Sequence, residues 1–519
     1  MATDSDDTAA QASIGDVRNR SSAVDAQVSA VLGRVMAQRR TVSAAADYVR
    51  GLSAGVKANC WQLAEAAGHE SPYRMQALLR TCRWRWQDLR SELPALALAW
   101  LPHDADDLIG PGIAFDETAQ LKDGDATACV APQHAGCTGH VENCVTTVYA
   151  VWVTTSGQAW ADFDVFMPER WEKDWRRRRA AGIPAGLRHK PKPQLAREQL
   201  GRLLDARMPA RWIAFDEVYT RSSRLRQACE ERGLPYVGIA PRDLRITLPS
   251  GKVIKAEQAL RDAVFERRSC GNGSKGPRYS DWALIATASP RHFLLIRRSV
   301  CRPDHVTFYI CWAPQEVPAT MTLFVLIAGR RWPCEETFKA GKDIHGWDQC
   351  QARGFEAICR HSALTALAQL RHAAIRNALC GDITVTASSQ QEQAELEREQ
   401  AELERESVDL GIPLGDAPVP SRPGQPCPPG IAAIKLTIAE TARLARLARQ
   451  HAAGLISDAR LAFHLRWSRW RRRHQARARW HHYSARLAAA ATVHVTNGNR
   501  KKVTHSNQSA RTTTSQYAA

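Results

Sequence analysis

Ile113-Ala114-Phe115-Asp116-Glu117, repeated residue for residue at Ile213-Ala214-Phe215-Asp216-Glu217, is the stretch on which the reading of this chain turns. Each copy is a short apolar run closed by an aspartate. Gly112 before the first and Arg211-Trp212 before the second extend them to the length of a buried strand. A carboxylate at the end of such a strand is costly to bury unpaired, so Asp116 and Asp216 need an outlet, and a shared divalent cation is one. A strand that simply leaves the core at a polar residue explains either copy alone. The recurrence weakens that explanation without excluding it. The flanks of the two copies differ, which points to convergent local chemistry and not to a duplicated domain.

The chain has 519 residues, 44% of them hydrophobic, enough for roughly two to four domains and a sizeable core. Lys plus Arg number 71 against 53 Asp plus Glu, a net charge of +18. That imbalance favours a polyanionic partner through counterion release, with nucleic acid ahead of an anionic membrane surface. No apolar run has the length to cross a bilayer, since even Met321 to Ala328 is bounded by Gly329-Arg330-Arg331. The Asp-, Ser- and Thr-rich start carries no signal-like apolar stretch. A cytoplasmic protein with no membrane partner is expected. Fourteen cysteines without a Cys-x-x-Cys pair are too sparse for a disulfide scaffold, so reduced thiols are expected. Cys129, His134, Cys137, His140 and Cys144 crowd five zinc-type ligands into one stretch, but their spacing matches no standard knuckle. A hairpin whose small Cys side chains pack is the simpler reading.

Composition divides the rest. Residues 1–25 read as a disordered leader and 487–519 as a disordered tail. Residues 26–105 are helical in pattern. There the helix Trp61-Gln62-Leu63-Ala64-Glu65-Ala66-Ala67-Gly68 stops at glycine, and a second opens with Ser71 as N-cap and Pro72 in its first turn. The pair reads either as a helix-turn-helix presenting Arg74, Gln76, Arg80 and Arg83 to DNA or as a helical hairpin with a solvated basic face. Residues 106–242 alternate strand-like and helix-like runs and predict an α/β block with a mixed sheet, in which Asp116 and Asp216 each end a strand. A β-rich stretch, 243–315, surrounds the glycine-rich Gly271-Asn272-Gly273-Ser274-Lys275-Gly276-Pro277-Arg278. This lacks Walker spacing and reads as a loop that exposes backbone to a phosphate, or as a wide turn. Helix returns over 316–385. A linker, 386–429, carries the heptad Gln-Ala-Glu-Leu-Glu-Arg-Glu twice and then a Pro-rich run. Residues 430–486 form a basic helical region in which Arg469, Arg471, Arg472 and Arg473 interleave with tryptophan, a composition suited to phosphate contacts, with rings to pack on sugars or on the domain itself.

Two aspartates on a sheet are half of a phosphoryl-transfer site; a third hard oxygen ligand must come from elsewhere. The helix near Pro333 offers Glu335, with Arg331 four residues before it and Lys342 seven after it, two turns on along the same face. By itself this is also how a solvated Glu/Lys helix face looks.

The order Asp116, Asp216, Glu335, with Arg331-x3-Glu335-x6-Lys342, resembles the RNase H-like DDE transposases of bacterial insertion sequences, in the group marked by a Tyr-x2-Arg-x3-Glu-x6-Lys signature. Similar blocks run from about Val28 to Tyr483. They include Val141-Glu142-Asn143-Cys144, Asp216-Glu217-Val218-Tyr219, Lys275-Gly276-Pro277-Arg278, Arg331-Trp332-Pro333-Cys334-Glu335-Glu336-Thr337-Phe338-Lys339 and the closing Trp-Ser-Arg-Trp-Arg-Arg-Arg-His run. The resemblance implies an α/β fold: an RNase H-like catalytic core with a β-rich insertion, an N-terminal helical DNA-binding region and a C-terminal basic helical region. It implies Asp116, Asp216 and Glu335 as catalytic and metal-binding residues, with Glu335 preferred to Glu336 because only it fits the Arg/Lys spacing. Two Mg²⁺ ions, or Mn²⁺, would serve hydrolysis at the element's end and then attack of the freed 3′-hydroxyl on target DNA. Arg331 and Lys342 would hold phosphates, and Lys275, Arg278, Arg469, Arg471, Arg472 and Arg473 would add DNA contacts. The implied partner is double-stranded DNA, both terminal inverted repeats and target, bound by a homodimer at the bacterial nucleoid. The chain departs from the pattern at Ala328, where the signature has tyrosine, and at Thr220, where glycine is common. Two alternatives stand beside this reading: a catalytically decayed DNA-binding regulator of the same fold, and an RNase H-like nuclease acting on RNA or repair intermediates.

Overall fold

The computed structural model of the chain describes residues 21–273, 276–380, 419–422, 424–428, 431, 434, 437–465, 467–468, 471–486 and 488. The expected leader and tail, nearly all of them, and the heptad repeat lie outside these residues. The chain falls into two compact units, one drawn from 1–271, 279–385 and 436–464, the other from 272–278, 386–435 and 465–519.

The first unit opens with helices α1 (21–35), α2 (Arg39–Ser53), α3 (Cys60–Ala66), α4 (Tyr73–Arg80) and α5 (Trp86–Trp100). Asn59 caps α3 by accepting the Gln62 amide at 2.9 Å. Gly68, at φ +72°, turns the chain out of it while the Gly68 and His69 amides close on Glu65 and Ala64. The expected cap at Ser71 is not formed: Pro72 holds the N-cap position without a side-chain bond, and the helix starts at Tyr73. Arg74, Arg80 and Arg83 are exposed and Gln76 half-buried, while Met75, Leu78 and Leu79 face inward.

These helices wrap a long helix from the other end of the unit, α13 (Phe355–Cys380), which is buried from Phe355 to Ile375 apart from a half-buried Glu356. Three of its polar side chains are held by the N-terminal helical region. Arg371 pairs with Asp25 at 2.5 and 3.0 Å, Arg360 donates to the Trp84 carbonyl at 2.6 Å, and His361 bonds Tyr48 at 2.9 Å. The helical start of the chain is thus fastened to the core by buried polar bonds.

Strands β1 (Gly112–Leu121), β2 (Ala131–Ala135), β3 (His140–Val153) and β4 (Gln158–Val165) follow, then helices α6 (Glu169–Lys173), α7 (Trp175–Ala180) and α8 (Lys192–Asp205). The Cys/His stretch forms the hairpin of β2 and β3, with Cys129 and Cys144 buried and Cys137 exposed. Next come β5 (Ile213–Phe215), α9 (Glu217–Thr220), α10 (Ser223–Glu230) and β6 (Tyr236–Ala240). A small β7 (Arg245–Thr247) and β8 (Val253–Lys255) ribbon precedes β9 (Glu266–Gly273), β10 (Gly276–Ala286), β11 (His292–Arg298) and β12 (Val306–Trp312).

Ten of these strands make one mixed sheet, in the order β2-β3-β1-β5-β6-β12-β11-β10-β9, with β4 also paired to β3 along residues 147–153. β1 is antiparallel to β3 and parallel to β5, β5 is parallel to β6, and β12 joins β6 antiparallel. The β-rich stretch is therefore a continuation of the central sheet. The repeated pentapeptides lie side by side in register: Ile113 faces Ile213, Ala114 faces Ala214 and Phe115 faces Phe215.

Asp216 follows the last residue of its strand, as expected, but Asp116 does not: β1 runs five residues further, to Leu121, paired with β3 throughout. Polar residues in that second half are buried, and Gln120 donates to the Trp347 carbonyl at 2.8 Å.

In the second unit, Ile431, Ala476 and Trp480 form a small core, with the Trp480 indole donating to the Gln425 carbonyl at 3.0 Å. One ring of the Arg/Trp run thus packs on its own domain.

Candidate active site

The site sits where β1 and β5 run parallel. Asp116 and Asp216 follow the in-register pair Phe115 and Phe215, which puts them on neighbouring strands about 4.8 Å apart. Asp216 occupies the N-cap position of the four-residue α9, and its carboxylate has no hydrogen bond or ion pair among the described residues. Thr220 anchors that turn by donating to the Asp216 carbonyl at 2.9 Å.

Glu335 arrives on α12 (Trp332–Asp343), which follows α11 (Met321–Arg330) after a break at Arg331. Pro333 falls in the first turn of α12, where its missing N–H costs nothing. Cys334, Thr337, Phe338 and Gly341, spaced as one helical stripe, face the core. Phe338 joins the Tyr149 and Trp160 rings, which stack at 4.2 Å, and Gln369 of α13 donates to the Thr337 carbonyl at 2.8 Å. The opposite face leaves Glu335 45% exposed.

Two successive arginines at the α11–α12 break clamp this helix to β1. Arg330 pairs at 2.7 Å with Asp107, only 6% exposed, in the segment leading into β1. Arg331 reaches Asp116 at 3.1 Å with one guanidinium nitrogen and Glu335 at 3.0 Å with another. Asp116, Asp216, Glu335 and Arg331 thus form one electrostatic cluster. Burial pushes the Asp116 pKa up to about 7, against the pull of Arg331, with Asp216 and Glu117 pushing the same way as burial. Burial works against the Arg331 charge, but Asp116, Asp216 and Glu335 outweigh it and raise its pKa.

The trailing glutamates have other partners. Glu117 is held by Lys192 at 2.8 Å and by the Tyr219 hydroxyl at 2.5 Å, and Glu217 pairs with Arg221 at 2.5 Å. Glu336 faces Trp332 and Gln158, at 3.3 and 3.5 Å. Lys192 escaped the sequence reading, and Tyr219 entered it only within the Asp216-Glu217-Val218-Tyr219 block; their contacts with Glu117 have no local mark, since that partner is 75 and 102 residues away, respectively.

Lys342 lies two turns along α12, half-buried and without an ion pair among the described residues. Lys275 and Arg469 lie outside the described residues. Arg278, Arg471, Arg472 and Arg473 belong to the second unit. There Arg473 is exposed, and Arg472 donates to the Ile434 carbonyl at 3.2 Å, a structural bond that the sequence did not foretell.

The donor set is carboxylate oxygen throughout, the chemistry that a hard divalent cation takes. Among the described residues no three acidic, His or Cys side chains converge on one point as metal ligands. Arg331 stands between Asp116 and Glu335 and balances their charge.

Residues 30–279 match the family of DDE superfamily endonucleases, and residues 191–370 match the transposase DDE domain. The first match contains Asp116, the second Glu335, and both contain Asp216. Through residues 30–370 the chain belongs to the DDE superfamily of transposases. Among solved structures, the piggyBac transposase synaptic complex with hairpin DNA is similar at 10% identity and a TM-score of 0.34, over 82% of this chain and 76% of that one. No curated protein matches the chain.

Proposed function

We propose that the protein is the transposase of a bacterial insertion sequence, cutting a phosphodiester at the element's ends and joining the freed 3′-hydroxyl to target DNA. The observation that carries this is the gathering of Asp116, Asp216 and Glu335 around Arg331, inside the region that matches the superfamily. An RNase H-like core is supported by aspartates on adjacent parallel strands, a glutamate from a later helix, and a β-rich stretch between them. The chain's charge of +18 supports a polyanionic partner, which in this reading is double-stranded DNA, both inverted repeats and target. A homodimer on the DNA, in the cytoplasm at the nucleoid, completes the reading. No helix among the described residues is long and apolar enough to cross a membrane.

Asp116 and Asp216, with Glu335, are the residues that would hold Mg²⁺, two ions in this reading, or Mn²⁺. Bound there, such ions activate the attacking oxygen and stabilise the leaving one. Asp116 has to release its proton to act as a ligand, and a pKa of about 7 leaves that step within reach of neutral pH. Arg331, already between two carboxylates, is placed to take up the charge of an incoming phosphate. Lys192 and Tyr219 keep Glu117 out of the ligand set.

The test is nicking of an end-bearing duplex with Mg²⁺ or Mn²⁺. Asp116→Ala, Asp216→Ala and Glu335→Gln should abolish cleavage while DNA binding persists, and Glu336→Gln should cleave normally. Cleavage that survives Glu335→Gln and is lost in Glu336→Gln would overturn the assignment.

A further inference from the structure

Between β4 and α8 the chain makes an excursion, residues 166–192, that carries nine Lys and Arg against three Asp and Glu. Both its ends are fixed beside the site. The Phe166 amide bonds the Thr146 carbonyl at 2.9 Å, His189 bonds the Met167 carbonyl at 2.8 Å, and Lys192 ends the excursion on Glu117, next to Asp116. The sheet register sets the distance. Asp116 is level with Tyr149 and Phe163, and β4 ends two residues further on, at Val165, level with Thr147 and Thr118. Two residues along and two strands across place the root of the excursion about 12 Å from Asp116.

Its interior is built by buried groups. Trp171 donates to the Val130 carbonyl at 2.8 Å, and Arg177 stacks over its ring at 3.9 Å. Arg178 is buried and donates to the carbonyls of Pro184 and Leu187 at 2.9 and 2.7 Å. With those residues committed to structure, Trp175, Arg176 and Arg179 are left facing solvent. Trp175 is 63% exposed, with the Arg176 guanidinium 5.6 Å from its ring, and neither Arg176 nor Arg179 meets a carboxylate among the described residues. Arginine and tryptophan held on a preformed knob make a costly solvent surface and a good phosphate-and-sugar contact. The knob itself stands by Val130, next to Ala131, which is level with Cys144 and Leu121, so five residues along and two strands across put it roughly 20 Å from Asp116. A duplex presents about twelve charges over that length of its axis, so a strand whose phosphate reaches Asp116 carries further phosphates past this knob.

We propose that Trp175, Arg176 and Arg179 form a DNA-backbone clamp that holds the duplex flanking the scissile phosphate. This rests on the reading of the chain as a DNA-acting enzyme and adds to it a contact surface on the first unit, separate from the Arg/Trp run of the second. Arg176 and Arg179 take phosphate oxygens, and the Trp175 ring packs on the sugar edge.

The experiment is fluorescence anisotropy of the full chain on an end-bearing duplex, titrated at several salt concentrations. Loss of two phosphate contacts lowers the slope of log K against log salt by about 1.8 and weakens binding about sixty-fold at 0.1 M salt. Arg176→Gln/Arg179→Gln should show this with an unchanged circular dichroism spectrum and melting midpoint, while Trp175→Ala should weaken binding several-fold at unchanged slope. The charge-matched control Lys252→Gln/Arg302→Gln should keep the wild-type slope. An unaltered slope in the double variant, or an equal loss in the control, overturns the clamp while leaving the function in place. A wild-type chain that binds no DNA overturns the function itself.

Discussion

Asparagine at position 116 should make the protein more stable while abolishing its chemistry, and the gain should widen as pH rises. The Asp116 carboxyl has its pKa pushed from 3.8 to about 7, chiefly by burial. Between those values the unfolded chain has released a proton that the folded chain still holds. Folded stability therefore falls as pH rises through this window and levels off above 7. At about 1.4 kcal/mol per pKa unit, the carboxyl costs the fold about 1.6 kcal/mol at pH 5 and about 4 kcal/mol at pH 8. Asparagine is close in shape to the protonated acid and has no charge to bury, so the variant escapes the whole penalty. Urea unfolding in chelator at pH 5 and pH 8 measures it. The variant's advantage should grow by about 2.5 kcal/mol between the two, since titrating groups outside this cluster are shared and cancel. Adding Mg²⁺ at pH 8 should raise the wild-type midpoint and leave the variant's unchanged. A flat difference, or a variant less stable than wild type at pH 8, refutes the reasoning.

Other outcomes follow from the packing around the site. A methyl group on Gly341 would lie 2.5 Å from the Trp160 ring, so Gly341→Ala should lift α12 from β4, cost about 1–3 kcal/mol in thermal or urea unfolding, and reduce cleavage more than DNA binding. Arg330→Ala strands the buried Asp107 carboxylate and should cost about 3 kcal/mol, part of which Asp107→Asn in the same chain should restore. Burial holds His345 and His361 at a pKa of about 4. The unfolded chain binds the extra protons, so their contribution is whole above pH 6.5 and is lost as pH falls toward 4, by about 3 kcal/mol for each. Acid titration followed by tryptophan fluorescence should show an unfolding transition in that window, shifted to lower pH in His361→Gln.

Much of the core was legible because its strands are short apolar runs between polar turns. The alternation of strand-like and helix-like runs over 106–242 corresponds to β1 to β6 with α6 to α10 between them, and the β-rich stretch 243–315 to β7 to β12. The second half of β1 was not legible, since Glu117-Thr118-Ala119-Gln120 looks like a strand leaving the core, and only the cover of β3 along its whole length makes it interior. The spacing of Arg331 and Glu335 marked them as neighbours one helical turn apart. That the same guanidinium also reaches Asp116, 215 residues earlier, is a tertiary fact that no local pattern records. The Trp175–Arg179 knob passed unremarked because a run of arginines reads as a solvated face until the buried roles of Trp171 and Arg178 show which residues remain outside.

The in-register pairing of Ile113-Ala114-Phe115 with Ile213-Ala214-Phe215 bears also on misassembly. Each strand's partner is a copy of itself, and a parallel ladder of identical residues is the arrangement that lets strands from separate molecules stack. Within one chain only the flanks tell the two apart: Gly112 lies beneath the Trp212 indole, and Gly238 leaves room for Phe215. A chain that opens at β5 while concentrated therefore exposes a segment for which any second copy offers two equally good partners, and the same carboxylates that serve the chemistry, at the end of each run, are the charges that oppose such stacking.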